Sequence, residues 1–254
     1  ATIMQHCEEP ALSGGCMNGG DVSTELGLPG VPSEAEELMI ARDVLLNRRI
    51  GCRYHVQHIS SAWSVELVRR AKADGLPVTT EAAPHHLLLT DEACRGYDAN
   101  YKMNPPLRTQ EDVDAVIAGV VDGTIELLAT DHAPHMAEDK NVPVPEAAFG
   151  ILGLECAFGL YKKALVDPGH ISAMKMIEMM TLAASKIVDL PDGRGTLAQG
   201  SVADVTIIDP NLPWTVDVNE FKSKSRNCPF HGWNLTGRPI RTIVAGKTCW
   251  TLAS

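Results

Sequence analysis

Cys52-Arg53-Tyr54-His55-Val56-Gln57-His58-Ile59 is a short run of strand-forming residues that ends beside an imidazole, and together with the next 23 or so residues it decides the fold. Ser64–Ala73 sets Val65, Val68 and Ala71 on one helical face and stops at Gly75. Pro77–Ala82 is then a second short strand candidate. Strand, amphipathic helix and strand within about 30 residues is the β/α/β pattern, in which the strands run parallel.

The pattern continues outward in both directions. Ala1–His6 and Ile125–Ala129 are further strand candidates. Ser33-Glu34-Ala35-Glu36 has the form of a capping box opening a helix with Leu38, Ala41 and Leu45 on one face. Thr109 and Asp112 open another, with Val113, Val116, Ile117 and Val120. Ser13–Gly20 and Ala137–Pro145 read as loops. From Ile151 the pattern changes to helices alone, Gly153–Val166 and Ile171–Ala184, and then to short strands at Ala203–Ile208 and Ile240–Val244. This predicts an α/β domain over residues 1–192 and a C-terminal β-rich segment over 193–254, with the boundary near Gly193.

The chain has 254 residues, 44% of them hydrophobic, which is enough for a sizeable core. A formal net charge of −10 and the absence of a Lys/Arg cluster argue against nucleic acid and anionic membrane surfaces as partners. No run approaches the 18 or so apolar residues of a membrane span, and Ala1–Glu9 has no signal-peptide pattern. The seven cysteines are odd in number and form no CxxC pair, so they read as reduced thiols of a cytoplasmic protein.

The informative polar residues stand where strand candidates end: His6, His58 and Asp131. In a β/α barrel those ends converge on one face, and imidazole and carboxylate are ligand types that zinc accepts. Each alone reads more readily as a hydrogen-bonded core or rim residue than as a ligand; three at corresponding strand ends bring a metal site level with that reading. Asp131-His132-Ala133-Pro134-His135 packs an acid and two imidazoles into one short stretch, though a capping Asp with solvated histidines has the same composition. In Asn104-Pro105-Pro106-Leu107-Arg108 the prolines restrict the backbone and aim the Asn104 amide, which both donates and accepts hydrogen bonds.

Gln5-His6-Cys7-Glu8, His55-Val56-Gln57-His58-Ile59-Ser60, Thr80-Glu81-Ala82-Ala83-Pro84-His85-His86-Leu87, Lys102-Met103-Asn104-Pro105-Pro106-Leu107-Arg108 and Ala129-Thr130-Asp131-His132-Ala133-Pro134-His135 together resemble, in order and spacing, dihydroorotases of the bacterial class I type within the amidohydrolase superfamily. The likeness extends to Phe149-Gly150-Ile151, to Gly200 with Ala203-Asp204-Val205, and to Ser223-Lys224-Ser225-Arg226-Asn227-Cys228-Pro229-Phe230.

The resemblance implies the C-terminal half of a (β/α)8 metal-dependent hydrolase barrel, strands five to eight, followed by a small β-rich segment. It implies two zinc ions per complete site. His6 and His58 match ligands of the more buried zinc; Asp131 matches the ligand of the other zinc that also moves a proton to the leaving amide nitrogen. Asn104 and His135 match residues that hold dihydroorotate, and Phe149 and Gly150 match a segment lining the same pocket. His55, His85, His86 and His132 match no ligand position. The implied reaction is reversible hydrolysis of dihydroorotate to N-carbamoyl-L-aspartate in pyrimidine biosynthesis. The implied partners are the small-molecule substrate, a second copy in a homodimer, and aspartate carbamoyltransferase. The family's earlier His-x-His-x-Arg and its bridging carboxylate have no counterpart, since the chain holds no His-x-His. The expectation is therefore part of an active site, inactive by itself. Two other readings share these residues: an allantoinase or dihydropyrimidinase, and a non-catalytic dihydroorotase-like subunit of an aspartate carbamoyltransferase complex.

Overall fold

A computed structural model of the protein describes residues 1–252. In chain order its elements are β1 (Ile3–Gln5), β2 (Met17–Asn18), α1 (Asp21–Leu26), β3 (Gly30–Val31), α2 (Glu34–Ile50), β4 (Tyr54–Val56), α3 (Ala62–Ala73), β5 (Val78–Ala82), α4 (His85–Leu88), α5 (Gln110–Asp122) and β6 (Leu127–Leu128). Then come α6 (Ala137–Lys140), α7 (Ala157–Tyr161), α8 (Ala173–Met180), α9 (Leu182–Ile187), β7 (Val205–Thr215), β8 (Asn234–Val244) and β9 (Lys247–Thr251).

The four strand candidates form one sheet in the order β1-β4-β5-β6. All its pairings are parallel, with Gln5 opposite Val56, Val56 opposite Thr80, and Glu81 opposite Leu127. α3 and α5 form as the periodicity predicts. Ser61 caps α3 by accepting from the Ser64 N–H, and Thr109 and Asp112 make the capping box of α5.

Two local expectations fail. Ser33 precedes α2 in a helical conformation and its side chain caps nothing, because Glu36 is pulled inward instead. The Glu36 carboxylate accepts from the Ser60 and Ser61 N–H groups and the Ser60 hydroxyl, and is 3% exposed. The helix turns accordingly: Ile40, Val44 and Asn47 are buried, while Leu38 and Leu45 face outward. Ser13–Gly20 and Ala137–Pro145 are also more ordered than loops, for Met17–Asn18 pairs with Gly30–Val31 across α1 and Ala137–Lys140 forms α6.

The main core lies between the parallel sheet and its helices, joining Tyr54, Val56 and Val78 to Ile40, Val68, Val116, Tyr161 and Met176. A second core joins Leu89, Met103, Leu107, Ile151 and Leu152 to Val216, Phe221, Cys228 and Phe230. Residues beyond Gly193 thus pack directly beneath the segments that carry Asn104 and Phe149–Gly150. β7, β8 and β9 complete that region as an antiparallel sheet. The expected 193–254 segment includes two residues outside the described range.

Candidate active site

His6 follows β1 directly, His58 lies two residues beyond β4, and Asp131 three beyond β6. Parallel strands put these three ends at one edge of the sheet. The backbones of His58 and Asp131 lie in the left-handed region, at φ 32° and 45°. Non-glycine residues rarely sit there, and such strain concentrates at functional sites.

His6 Nδ1 faces His58 Nε2 at 3.1 Å. Two imidazole nitrogens bound to one tetrahedral zinc at about 2.0–2.1 Å come to about 3.3 Å apart, so the pair fits a shared ion. Burial and the neighbouring His6 push His58 down to about 4, which keeps its imidazole neutral at pH 7, the form that ligates a metal. His58 Nδ1 is buried without a partner. Asp131 is pushed up to about 6, chiefly by burial; the charge of His6 opposes the shift and that of Glu81 adds to it. Among the described residues, no group of three or more His, Cys, Asp or Glu side chains is arranged to hold a metal ion. His6, His58 and Asp131 therefore fit as part of a ligand set rather than as a whole one.

Of the residues expected to contact substrate, Asn104 is joined to the imidazole pair. Asn104 donates from Nδ2 to Glu8 Oε1 at 3.0 Å, and Glu8 Oε2 lies 3.5 Å from His6 Nε2, so Glu8 links the amide to the imidazole pair. The Asn104–Pro105 bond is cis. His135 and Gly150 sit against each other: a Cβ on Gly150 would lie 2.9 Å from His135 Nε2 and 2.6 Å from the Ala133 Cβ. With φ at 129° as well, that position admits only glycine. Lys102 Nζ lies 4.3 Å above the Phe149 ring and donates to the Val144 and Pro145 carbonyls.

The remaining histidines are placed differently. His55 is buried between Thr79 Oγ1 at 2.8 Å and Glu81 Oε2 at 3.1 Å, His86 bonds the Pro105 carbonyl, and His132 Nδ1 accepts from the Gly153 and Leu154 N–H groups. His85 is fully buried with both ring nitrogens unpartnered. Sequence reasoning passed over Glu8, Glu81 and Asn227. Glu81 stands near the end of β5 and accepts from the His58 N–H at 3.3 Å, so the strand-end rule that singled out His58 applies to it too.

The model of the amidohydrolase family matches residues 25–249. The chain is 49% identical over 246 residues to a dihydroorotase of Thermoanaerobacter sp. (strain X514), covering 96% of this chain and 56% of that protein. It is 51% identical to a dihydroorotase of Pelotomaculum thermopropionicum, covering 96% and 57%. The chain thus spans little more than half the length of these relatives. Among solved structures, it is similar to an L-hydantoinase (dihydropyrimidinase) from Arthrobacter aurescens with a TM-score of 0.88 and 29% identity, covering 100% of this chain and 59% of that one. A D-hydantoinase from Thermus sp. gives 0.86 and 25%, with 100% and 58% coverage. Those likenesses agree with a partial barrel of parallel strands followed by an antiparallel sheet, with polar groups gathered at the strand ends. On the family match across most of its length, the chain belongs to the amidohydrolase family.

Proposed function

We propose that this chain supplies part of the active site of a zinc-dependent dihydroorotase, which interconverts dihydroorotate and N-carbamoyl-L-aspartate. One observation carries the reading: His6 Nδ1 and His58 Nε2 face each other at 3.1 Å at the strand ends, in a chain about half identical to dihydroorotases. His6 and His58 would hold one zinc and Asp131 would contribute to a second, the rest of both ligand sets coming from outside the described residues. When bound, zinc makes a reactive water available near neutral pH and polarises the ring carbonyl.

The chain's own residues do the rest. The Asp131 carboxylate takes a proton from the attacking water and delivers it to the departing ring nitrogen. Asn104, aimed by Glu8, recognises the ring amide, while His135 and the Phe149–Gly150 segment hold the ring and its carboxylate. Seven unpaired cysteines support a reducing, cytoplasmic setting, and no helix among the described residues is long and apolar enough to cross a membrane.

The hydantoinase structures support the second reading, a dihydropyrimidinase-type enzyme with the same metal site. Rates on dihydroorotate, dihydrouracil and allantoin separate the two. They are to be measured with this chain joined to the part of the Thermoanaerobacter dihydroorotase that it does not match. Dihydroorotate is expected to be preferred by at least tenfold; a preference for dihydrouracil or allantoin overturns the assignment.

A further inference from the structure

Asn227 lies in the C-terminal region, far along the chain from His135 and Gly150, yet it is 4% exposed and uses its whole amide on their two loops. Nδ2 donates to the Ala133 carbonyl at 2.9 Å and to the Gly150 carbonyl at 3.0 Å, while Oδ1 accepts from the His135 N–H at 3.2 Å. Its backbone carbonyl accepts from the Leu152 N–H. The neighbours Cys228 and Phe230 are anchored in the second core with Met103, Leu107, Ile151 and Leu152, so the amide projects from a fixed base. The Gly150 carbonyl takes a second donor, Lys140 Nζ at 3.0 Å, which also bonds the Ala148 carbonyl at 2.8 Å.

We propose that Asn227, with Lys140 as the second donor on the Gly150 carbonyl, is a positioning residue that sets the spacing between His135 and Gly150 and thereby the dihydroorotate pocket. This rests on the dihydroorotase reading of the site. A buried amide with every donor and acceptor satisfied fixes its partners in one arrangement, and here the partners are the two loops that line the pocket. The loops already touch at the limit of what a glycine allows, so losing the staple opens the pocket rather than tightening it.

The test compares Asn227→Asp and Lys140→Met with the core variant Val68→Ala in the completed enzyme. The aspartate side chain would keep an acceptor for the His135 N–H but turn an oxygen toward two carbonyls. Both staple variants are expected to raise KM for dihydroorotate at least tenfold with kcat within threefold, the mark of lost binding that is equal in ground and transition states. Val68→Ala, which lies in the main core, should lower the melting temperature and leave KM unchanged. Unchanged KM in both staple variants overturns the proposal, as does a rise in KM that Val68→Ala matches. If Asn227→Asp does not fold, Lys140→Met decides alone. If the unmodified enzyme does not turn over dihydroorotate, the functional reading fails separately, and amide hydrogen exchange then decides the staple. Faster exchange confined to the loops of His135 and Gly150 upholds it, and unchanged exchange there overturns it.

Discussion

Asp131 stands three residues beyond the end of β6, where the turn that leaves its backbone at φ 45° buries the carboxyl within reach of the charges of His6 and Glu81. In the completed enzyme, Asp131→Asn is expected to keep at least half of the bound zinc and lose more than 100-fold in turnover, since an amide ligates weakly and carries no proton. Near-normal turnover by that variant rules out the acid/base role. Lys140 gives a test in the metal-free chain. Burial, reinforced by Lys102 and opposed by Asp98, depresses it from 10.5 to about 8. Below about pH 8 it is charged both folded and unfolded, and the folded state carries the full penalty of burying the charge. Between about 8 and 10.5 the unfolded chain binds more protons, so this group's contribution to stability rises with pH. The melting temperature of the wild-type chain, measured against that of Lys140→Met, should therefore climb from about pH 7.5 to about 9.5; a constant difference refutes the depressed pKa. That His6, His58 and Asp131 stand just beyond strand ends was legible, because a strand end needs only local sequence to find it. Glu8 and Asn227 were not, since their value lies in bonds spanning 96 and 77 residues, whereas Glu81, near the end of β5, was within reach of the same rule.

At the scale of elements, two sequences of capping form had different fates. Thr109 accepts from the Asp112 N–H and Asp112 returns the bond, whereas Ser33 makes no side-chain cap. Thr109→Ala should cost about 1 kcal/mol and Ser33→Ala under about 0.5 kcal/mol by denaturant unfolding. Equal costs would show that Ser33 caps α2 after all. The pattern at residues 33–36 misled because Glu36 had a stronger competing use, the N–H groups of Ser60 and Ser61 just beyond β4. Nothing near Ser33 in sequence announces that demand. The face of α2 was misjudged for the same reason, for burying Glu36 turns Ile40 and Val44 inward and leaves Leu38 and Leu45 at 53% and 64% exposed. α3 and α5, whose apolar faces have no such competitor, follow their periodicity, and the four parallel strands were legible from short apolar runs alone.

The whole molecule presents apolar surface in the places where a sheet is most adhesive. β1 is an edge strand with Ile3 and Met4 at 55% and 41% exposed, and α2 offers Leu45, Leu46 and Ile50 to the outside. The 254-residue chain by itself is expected to self-associate, and to bind less than one zinc per chain because its described residues offer only part of a ligand set. Sedimentation and zinc analysis of the purified chain check both, and a monomer holding two zinc ions contradicts them. Whether this chain carries the acid/base and substrate-binding portion of a dihydroorotase is decided by dihydroorotate hydrolysis by the zinc-loaded chain, alone and joined to the part of the Thermoanaerobacter dihydroorotase that it does not match. Turnover by the joined protein and none by the chain alone is the predicted result. A joined protein that binds its full zinc and leaves dihydroorotate untouched would contradict the claim.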